Sequence, residues 1–169
     1  ILRTLGWATG VAAVLASGVS AQEQSTNRVA AKTDWSVFVE DNPTECWGVS
    51  TPKETVNSRD GRVVAVNRGQ TLLMVFYRPS VGAKGQVAFT GGYPTVNMNI
   101  SGNSFELFTD GEWAWPATTE DDNKIITAMK RGSDAVLTGR SGRGTQTKDS
   151  FSLLGFTAAV EDAAKRCGG

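Results

Sequence analysis

The sequence predicts a mainly β domain, an antiparallel sandwich or barrel, with one short helix before its last strands and another at its C-terminus. Three observations carry that prediction. Turn chemistry recurs about every eight to twelve residues from 34 to about 117, which is the spacing of sandwiches and barrels. Between the turns, apolar residues follow a period of two or form short continuous runs, as half-buried and buried strands do. The chain also has only two cysteines, Cys46 and Cys167, 121 positions apart behind a stretch that reads as a secretory leader, and an exported chain is expected to oxidise such a pair.

The leader sets the frame for the rest. Ile1 to Ala21 holds one cation, Arg3, then a run of apolar and small residues from Leu5 to Val19. It ends Val19-Ser20-Ala21, small residues at the positions signal peptidase reads, so cleavage is expected after Ala21. An uncleaved anchor is the alternative. Gly6, Gly10, Ser17 and Gly18 dilute the run, which falls short of the ~20 strongly apolar residues a span needs. Residues 22 to 33, polar and small, are expected as a flexible lead-in. The mature chain of 148 residues suits a single domain over 34–169. Loss of Arg3 leaves 16 bases against 17 acids, a formal charge of −1. That balance predicts no nucleic-acid or anionic-membrane partner.

Strands are expected at 34–41, where Trp35, Val37 and Val39 share a face opposite Ser36, Phe38 and Glu40, and at 46–52, where Cys46 opposes Trp47 and Val49. Asp60-Gly61 is a tight hairpin turn leading into 62–67. Residues 71–78, TLLMVFYR, form a continuous apolar run stopped by Pro79, read as a buried strand. Strands 86–90, 95–100, 104–109 and 112–116 follow. Thr118 or Thr119 then caps a helix over 120–131, with Glu120, Asp121 and Asp122 in its first turn, Lys130 and Arg131 in its last, and Gly132 beyond. The acidic triplet is read as serving the helix dipole, since consecutive carboxylates point in different directions and make a poor metal site. Strands over 135–141 and 147–155 lead to a last helix, capped by Thr157, whose Val160, Ala163, Ala164 and Cys167 form an inward stripe. Glu161 with Lys165 and Asp162 with Arg166 are expected as outward ion pairs. A bond from Cys167 to Cys46 would pin this short helix to an early strand.

Composition narrows the chemistry. The chain has no histidine, which removes the commonest general base, the triads that depend on it and most zinc and iron sites. With both cysteines paired, no thiol nucleophile remains. Gly139-Arg140-Ser141-Gly142-Arg143 lacks the closing glycine of a nucleophile elbow, and Gly139, Gly142 and Gly144 do not have phosphate-loop spacing. No cofactor or metal is expected. Paired carboxylates stay open as a catalytic device, although no pair is singled out by spacing.

Two features suit binding. Trp113 and Trp115 share a strand face and form either an exposed aromatic platform for a sugar or partner, or an inward core pair. Lys130, Arg131, Arg140 and Arg143, with Lys148, would form a cationic rim if the strands flanking 142–146 brought them together, or else serve as ordinary solubilising charge. Asn99-Ile100-Ser101 is a glycosylation sequon that a bacterial chain would leave unused.

The leader, Asp34-Trp35-Ser36-Val37, Cys46-Trp47-Gly48-Val49, Ile126-Thr127-Ala128-Met129-Lys130-Arg131-Gly132 and Ser152-Leu153-Leu154-Gly155-Phe156-Thr157-Ala158-Ala159, in that order, resemble the invasion-associated locus B family of alphaproteobacterial envelope proteins. The resemblance spans nearly all of 34–167. It implies an immunoglobulin-like β-sandwich in the periplasm, at the outer membrane or secreted, linked in pathogens to host-cell entry. Family members often carry a close cysteine pair just before the first helix, and here residues 108–119 have none. The leading expectation is a non-enzymatic binding or adaptor protein that contacts an envelope or host-surface protein through one sheet face. An accessory subunit of a periplasmic or outer-membrane assembly is the alternative, and a carboxylate-based glycan hydrolase the third.

Overall fold

A computed structural model of the chain describes residues 27–91 and 93–168. The expected leader, its cleavage point and the first residues of the lead-in lie outside the described residues.

Among the described residues twelve strands form in chain order: β1 (Arg28–Lys32), β2 (Trp35–Glu40), β3 (Glu45–Ser50), β4 (Glu54–Arg59), β5 (Arg62–Val63), β6 (Leu72–Arg78), β7 (Ala83–Thr90), β8 (Thr95–Ile100), β9 (Asn103–Asp110), β10 (Trp113–Trp115), β11 (Asp134–Arg140) and β12 (Gln146–Ser152). Helix α1 (Thr119–Arg131) precedes β11 and α2 (Phe156–Arg166) closes the domain. The strands pair antiparallel in one continuous order, β1-β2-β3-β6-β7-β10-β9-β8-β11-β12-β4-β5. Most neighbours are joined by hairpins. The exceptions are the excursion through β4 and β5, which leaves the first half of the sheet for the far edge of the second, the detour through β8 and β9 between β7 and β10, and the return from β10 through α1 to β11 beside β8.

The sheet folds over on itself around β9 and β10. Trp35, Val37, Leu73, Val75, Val87 and Phe89 of the first half share one core with Val96, Met98, Ile100, Ala135, Leu137 and Phe151 of the second. Phe89 and Phe151, five strands apart in the sheet, meet edge to face at 6.2 Å. The sandwich predicted from turn spacing is therefore what forms. Asp60 and Gly61 take the positive φ angles of a tight hairpin turn.

Order begins before Asp34. Arg28–Lys32, assigned by composition to a flexible lead-in, pairs with β2, and Ala30 packs on the core. An unfilled sheet edge beside β2 outweighs the weak strand propensity of this segment.

Helix α1 starts where a threonine cap permits. The Thr118 side chain accepts the Asp121 N–H, which satisfies one of the orphan donors of the first turn. Asp122, in that same turn, turns inward. It is buried, and its Oδ1 accepts the Val87 N–H of β7 at 2.8 Å. Burial raises its pKa to about 6, against the lowering effect of the Val87 N–H, and the neighbouring Asp121 charge adds to the rise. A carboxylate whose folded pKa lies above its unfolded value favours the folded state in protonated form. Its contribution is complete below about pH 4 and is lost as pH rises through about 6. Asp122→Asn keeps the acceptor and removes the titration. Relative to this variant, the wild type should lose on the order of 2 kcal/mol of unfolding free energy between pH 4 and pH 7.5. Parallel urea titrations at the two pH values measure it, and identical pH profiles would refute the account.

Helix α2 begins earlier than Thr157. Phe156 is fully buried and meets Trp35 edge to face at 4.9 Å, so the first turn is set by packing. Gly155, with φ +88, holds the N-cap position without a side-chain cap. A Cβ there would collide with the Lys32 carbonyl, and the left-handed backbone adds its own strain. Gly155→Ala is expected to cost about 2 kcal/mol or more, read as a lower denaturation midpoint. Of the two expected ion pairs, Asp162–Arg166 forms at 2.7 Å. Glu161 instead meets Lys130 of α1 at 3.4 Å, because the two helices lie side by side.

The inward stripe of α2 is Phe156, Ala159, Val160 and Ala163, continued by Cys167, with Ala164 half-buried at its margin. Cys46 points into the same core from β3, and the two are bonded with Cα atoms 5.9 Å apart. The last helix is thus tied to the third strand.

Candidate functional site

Each strand of the first half has one face on the core, so the other must face outward. On β2, β3 and β6 the outward residues are unusually aromatic. Phe38 stands opposite Trp47, and Trp47 opposite Phe76. Their ring centroids are 5.6 and 5.9 Å apart, with the first pair nearly parallel. Cross-strand aromatic pairs of this kind stabilise a sheet and fix ring orientation. The Arg78 guanidinium lies 4.0 Å from the Phe76 ring centroid, held by Glu45 at 3.2 Å and Gln86 at 3.1 Å. That is a cation–π contact with a fixed cation.

The row continues toward β9. Met74, Phe76 and Ala88 form a small buried cluster on this outer face, packed by Trp47, Val49, Leu72 and Trp115. Trp115 lies 5.6 Å from Phe108 and 6.1 Å from Trp113, the two tryptophan rings tilted only 9° from parallel. Phe108 is 58% exposed and Trp113 38%. From β2 to β9 the face crosses five inter-strand gaps, about 24 Å at the usual strand separation. Its rings are seated on rigid strands, with little rotamer freedom left to lose on binding.

Trp113 and Trp115 therefore point outward, and it is Ala114, 1% exposed, that faces the core. Larger aromatics would be the ordinary inward choice. At β10, however, the sheet turns from one half to the other, and Ala114, opposite Phe89, fills what the interior offers there. The outward half of the row on β2, β3 and β6 was legible only as parity: Phe38 and Trp47 fall opposite Val37 and Cys46. TLLMVFYR hid its own two faces, because both are apolar.

The cationic residues do not converge. Lys130 pairs with Glu161, and Arg131 stands beside it at the end of α1. Arg140 reaches Gln146 at 3.3 Å, and Arg143 is exposed in the β11–β12 turn. Strands β11 and β12 pair along their whole length, which places the two groups at opposite ends of a seven-residue strand, about 20 Å apart. Lys148 lies opposite Thr138 between them. The expected rim is thus two separate spots, and the other half of the outer surface is lined by Asn97, Asn99, Thr138 and Gln146.

A groove lies between α1 and the β8–β9 hairpin. Its one carboxylate, Glu120, is 2.9 Å from Lys124, so the groove lacks the two convergent acids that glycoside hydrolysis uses. Among the described residues, no cluster of three or more metal-ligating side chains is present. No described helix is long and apolar enough to cross a membrane.

The invasion associated locus B (IalB) protein family model matches residues 94–164 of the chain, the stretch from β8 into α2, in agreement with the resemblance carried by the sequence strings. Neither a curated protein nor a solved structure matches the chain at a significant level.

Proposed function

We propose that this protein is an exported, non-enzymatic binding protein of the bacterial envelope that docks a partner protein through the aromatic outer face of its first half-sheet. The carrying observation is the cross-strand row from Phe38 to Phe108, with Phe108 and Trp113 exposed at one end and the half-buried Trp115 ring between them. Tryptophan and arginine dominate the energetics of protein interfaces, and preorganised rings bind with less entropic loss. A contiguous apolar patch at a protein surface is a mark of a docking site. The match to the invasion-associated family supports an envelope setting, and the cysteine pair suits an oxidising compartment.

The test is affinity capture from intact envelopes after mild cross-linking, followed by mass spectrometry. Wild type is compared with a Trp113→Ala, Trp115→Ala variant whose fold is verified by circular dichroism. At least a tenfold loss of one or more partners is expected. Equal recovery of every partner would sink the proposal.

A further inference from the structure

Strand β10 holds β7 and β9 together for only three residues, then stops at Trp115 before Pro116. Beyond that point two strand edges are left without their former neighbour. The β7 edge is served by α1, whose Asp122 carboxylate takes the Val87 N–H. No such cap serves β9. Its residues 103 to 107 pair with β8 alone, whereas 108 to 110 pair with β10.

The register says which backbone groups are left over. Ile100 and Asn103 close a two-residue hairpin and form a hydrogen-bonded pair; alternation then gives Met98–Phe105 and Val96–Leu107 the remaining bonds to β8. The N–H and C=O of Ser104 and Glu106 consequently point to the free edge, in line with Phe108, whose own groups face Trp115. Among the described residues, no hydrogen bond reaches these four groups. Sheet edges of this kind are normally covered, shortened or bulged, and this one is regular and exposed.

Beside the edge runs the groove to α1, about 590 Å³, with Ile100, Phe105 and Ala128 as its apolar floor and Asn123, Thr127 and Arg131 along the helix side. Lys124 is occupied by Glu120. Arg131 has no ion-pair partner among the described residues, so it is the uncompensated charge.

We propose that the free edge of β9 accepts an extended peptide segment of a partner protein as an added antiparallel strand on the line of β10, with an apolar side chain on the Ile100–Phe105–Ala128 floor and an acidic group at Arg131. The four aligned backbone groups ask for a polypeptide, and the groove supplies the side-chain pocket that gives such strand addition its specificity. This site is separate from the aromatic face and does not rest on it.

The test pans phage-displayed random decapeptides against the whole chain and measures the affinity of the enriched peptides as synthetic probes. Enriched peptides should carry an acidic residue and weaken at least tenfold on Arg131→Glu. Ser104→Pro and Glu106→Pro remove only edge-facing N–H groups, which proline tolerates on an edge strand, and each should also weaken binding at least tenfold. In the wild type, amide exchange at Ser104 and Glu106 should slow at least tenfold with peptide bound. That last reading decides the matter even if a proline variant misfolds. Failure to enrich any peptide, equal affinity for folded proline variants, or unchanged exchange at both amides would each overturn the proposal. So would self-association of the chain through this edge, seen as a dimer that Ser104→Pro converts to monomer.

Discussion

Replacing Cys46 and Cys167 together by alanine is expected to lower the unfolding free energy by about 4 to 5 kcal/mol, the largest effect of any change considered. The pair closes a loop of 121 residues, for which the chain-entropy relation gives about 5 kcal/mol of lost unfolded-state freedom. The small cavities left by two buried sulfurs add to the loss. Helix α2, with 11 residues, would be marginal on its own, so it should be the first element to show exposure. Urea denaturation of the oxidised wild type, the reduced wild type and the double variant measures the difference. A shift under 1 kcal/mol would mean that core packing alone holds the helix. Alkylation under denaturing, non-reducing conditions should label neither cysteine of the oxidised protein.

Much of this fold lies open in local pattern. Turn residues and period-two alternation locate most of the strands, the Thr118 cap and the acidic and basic ends locate α1, and the inward stripe of α2 points Cys167 at the core. What local pattern cannot carry is the third dimension. Trp113-Ala114-Trp115 states that two rings share a face, yet which face is inward depends on the bend of the sheet around β10. Asp122 reads as one of three acids serving a helix dipole, and its burial arises only because α1 lies against the β7 edge. Glu161 lies four residues from Lys165, but the proximity of α1 redirects it to Lys130. The candidate surface is legible to the same degree: Trp113 and Trp115 are visible from spacing, while Phe38, Trp47 and Phe76 join them only through strand pairing across β2, β3 and β6.

The division of the outer surface follows from the same topology. One continuous sheet supplies both halves of the sandwich, so its outer face is also continuous across β9. Aromatic residues mark the part belonging to the first half, whereas Asn97, Asn99, Thr138, Gln146 and Lys148 lie on the rest. Phe108 sits at that boundary on β9, with Ser104 and Glu106 preceding it on the same strand. The proposed aromatic dock and the proposed peptide edge are therefore neighbours, and a single partner of ordinary interface size, about 800 Å² per side, could span both.

Arg68→Ala should be the second most damaging substitution, costing about 3 to 5 kcal/mol. Asp149 on β12 is fully buried, and Arg68 donates to both its carboxylate oxygens, at 2.6 and 2.9 Å. Thr55 supplies a third donor at 2.8 Å. Removing the guanidinium leaves a carboxylate in the interior with one neutral partner, which is the costly way to break a buried pair. Replacing both ends should hurt less: Arg68→Met with Asp149→Asn is expected to recover at least about 2 kcal/mol of the loss, since no charge is then left to desolvate. Chemical denaturation of the single and double variants separates these outcomes, and an Arg68→Ala penalty below 1 kcal/mol would contradict an interior pair. The consequence for architecture is specific. Residues 64 to 71 form the irregular crossing from β5, in the second half, to β6, in the first. Arg68 anchors that crossing to β12 and also reaches the Gly91 carbonyl at 3.4 Å and the Tyr93 ring at 5.6 Å. One guanidinium thereby ties the crossing to both halves of the sandwich. Its loss should raise amide exchange in 64–71 ahead of the strands it joins, which distinguishes a freed crossing from uniform destabilisation.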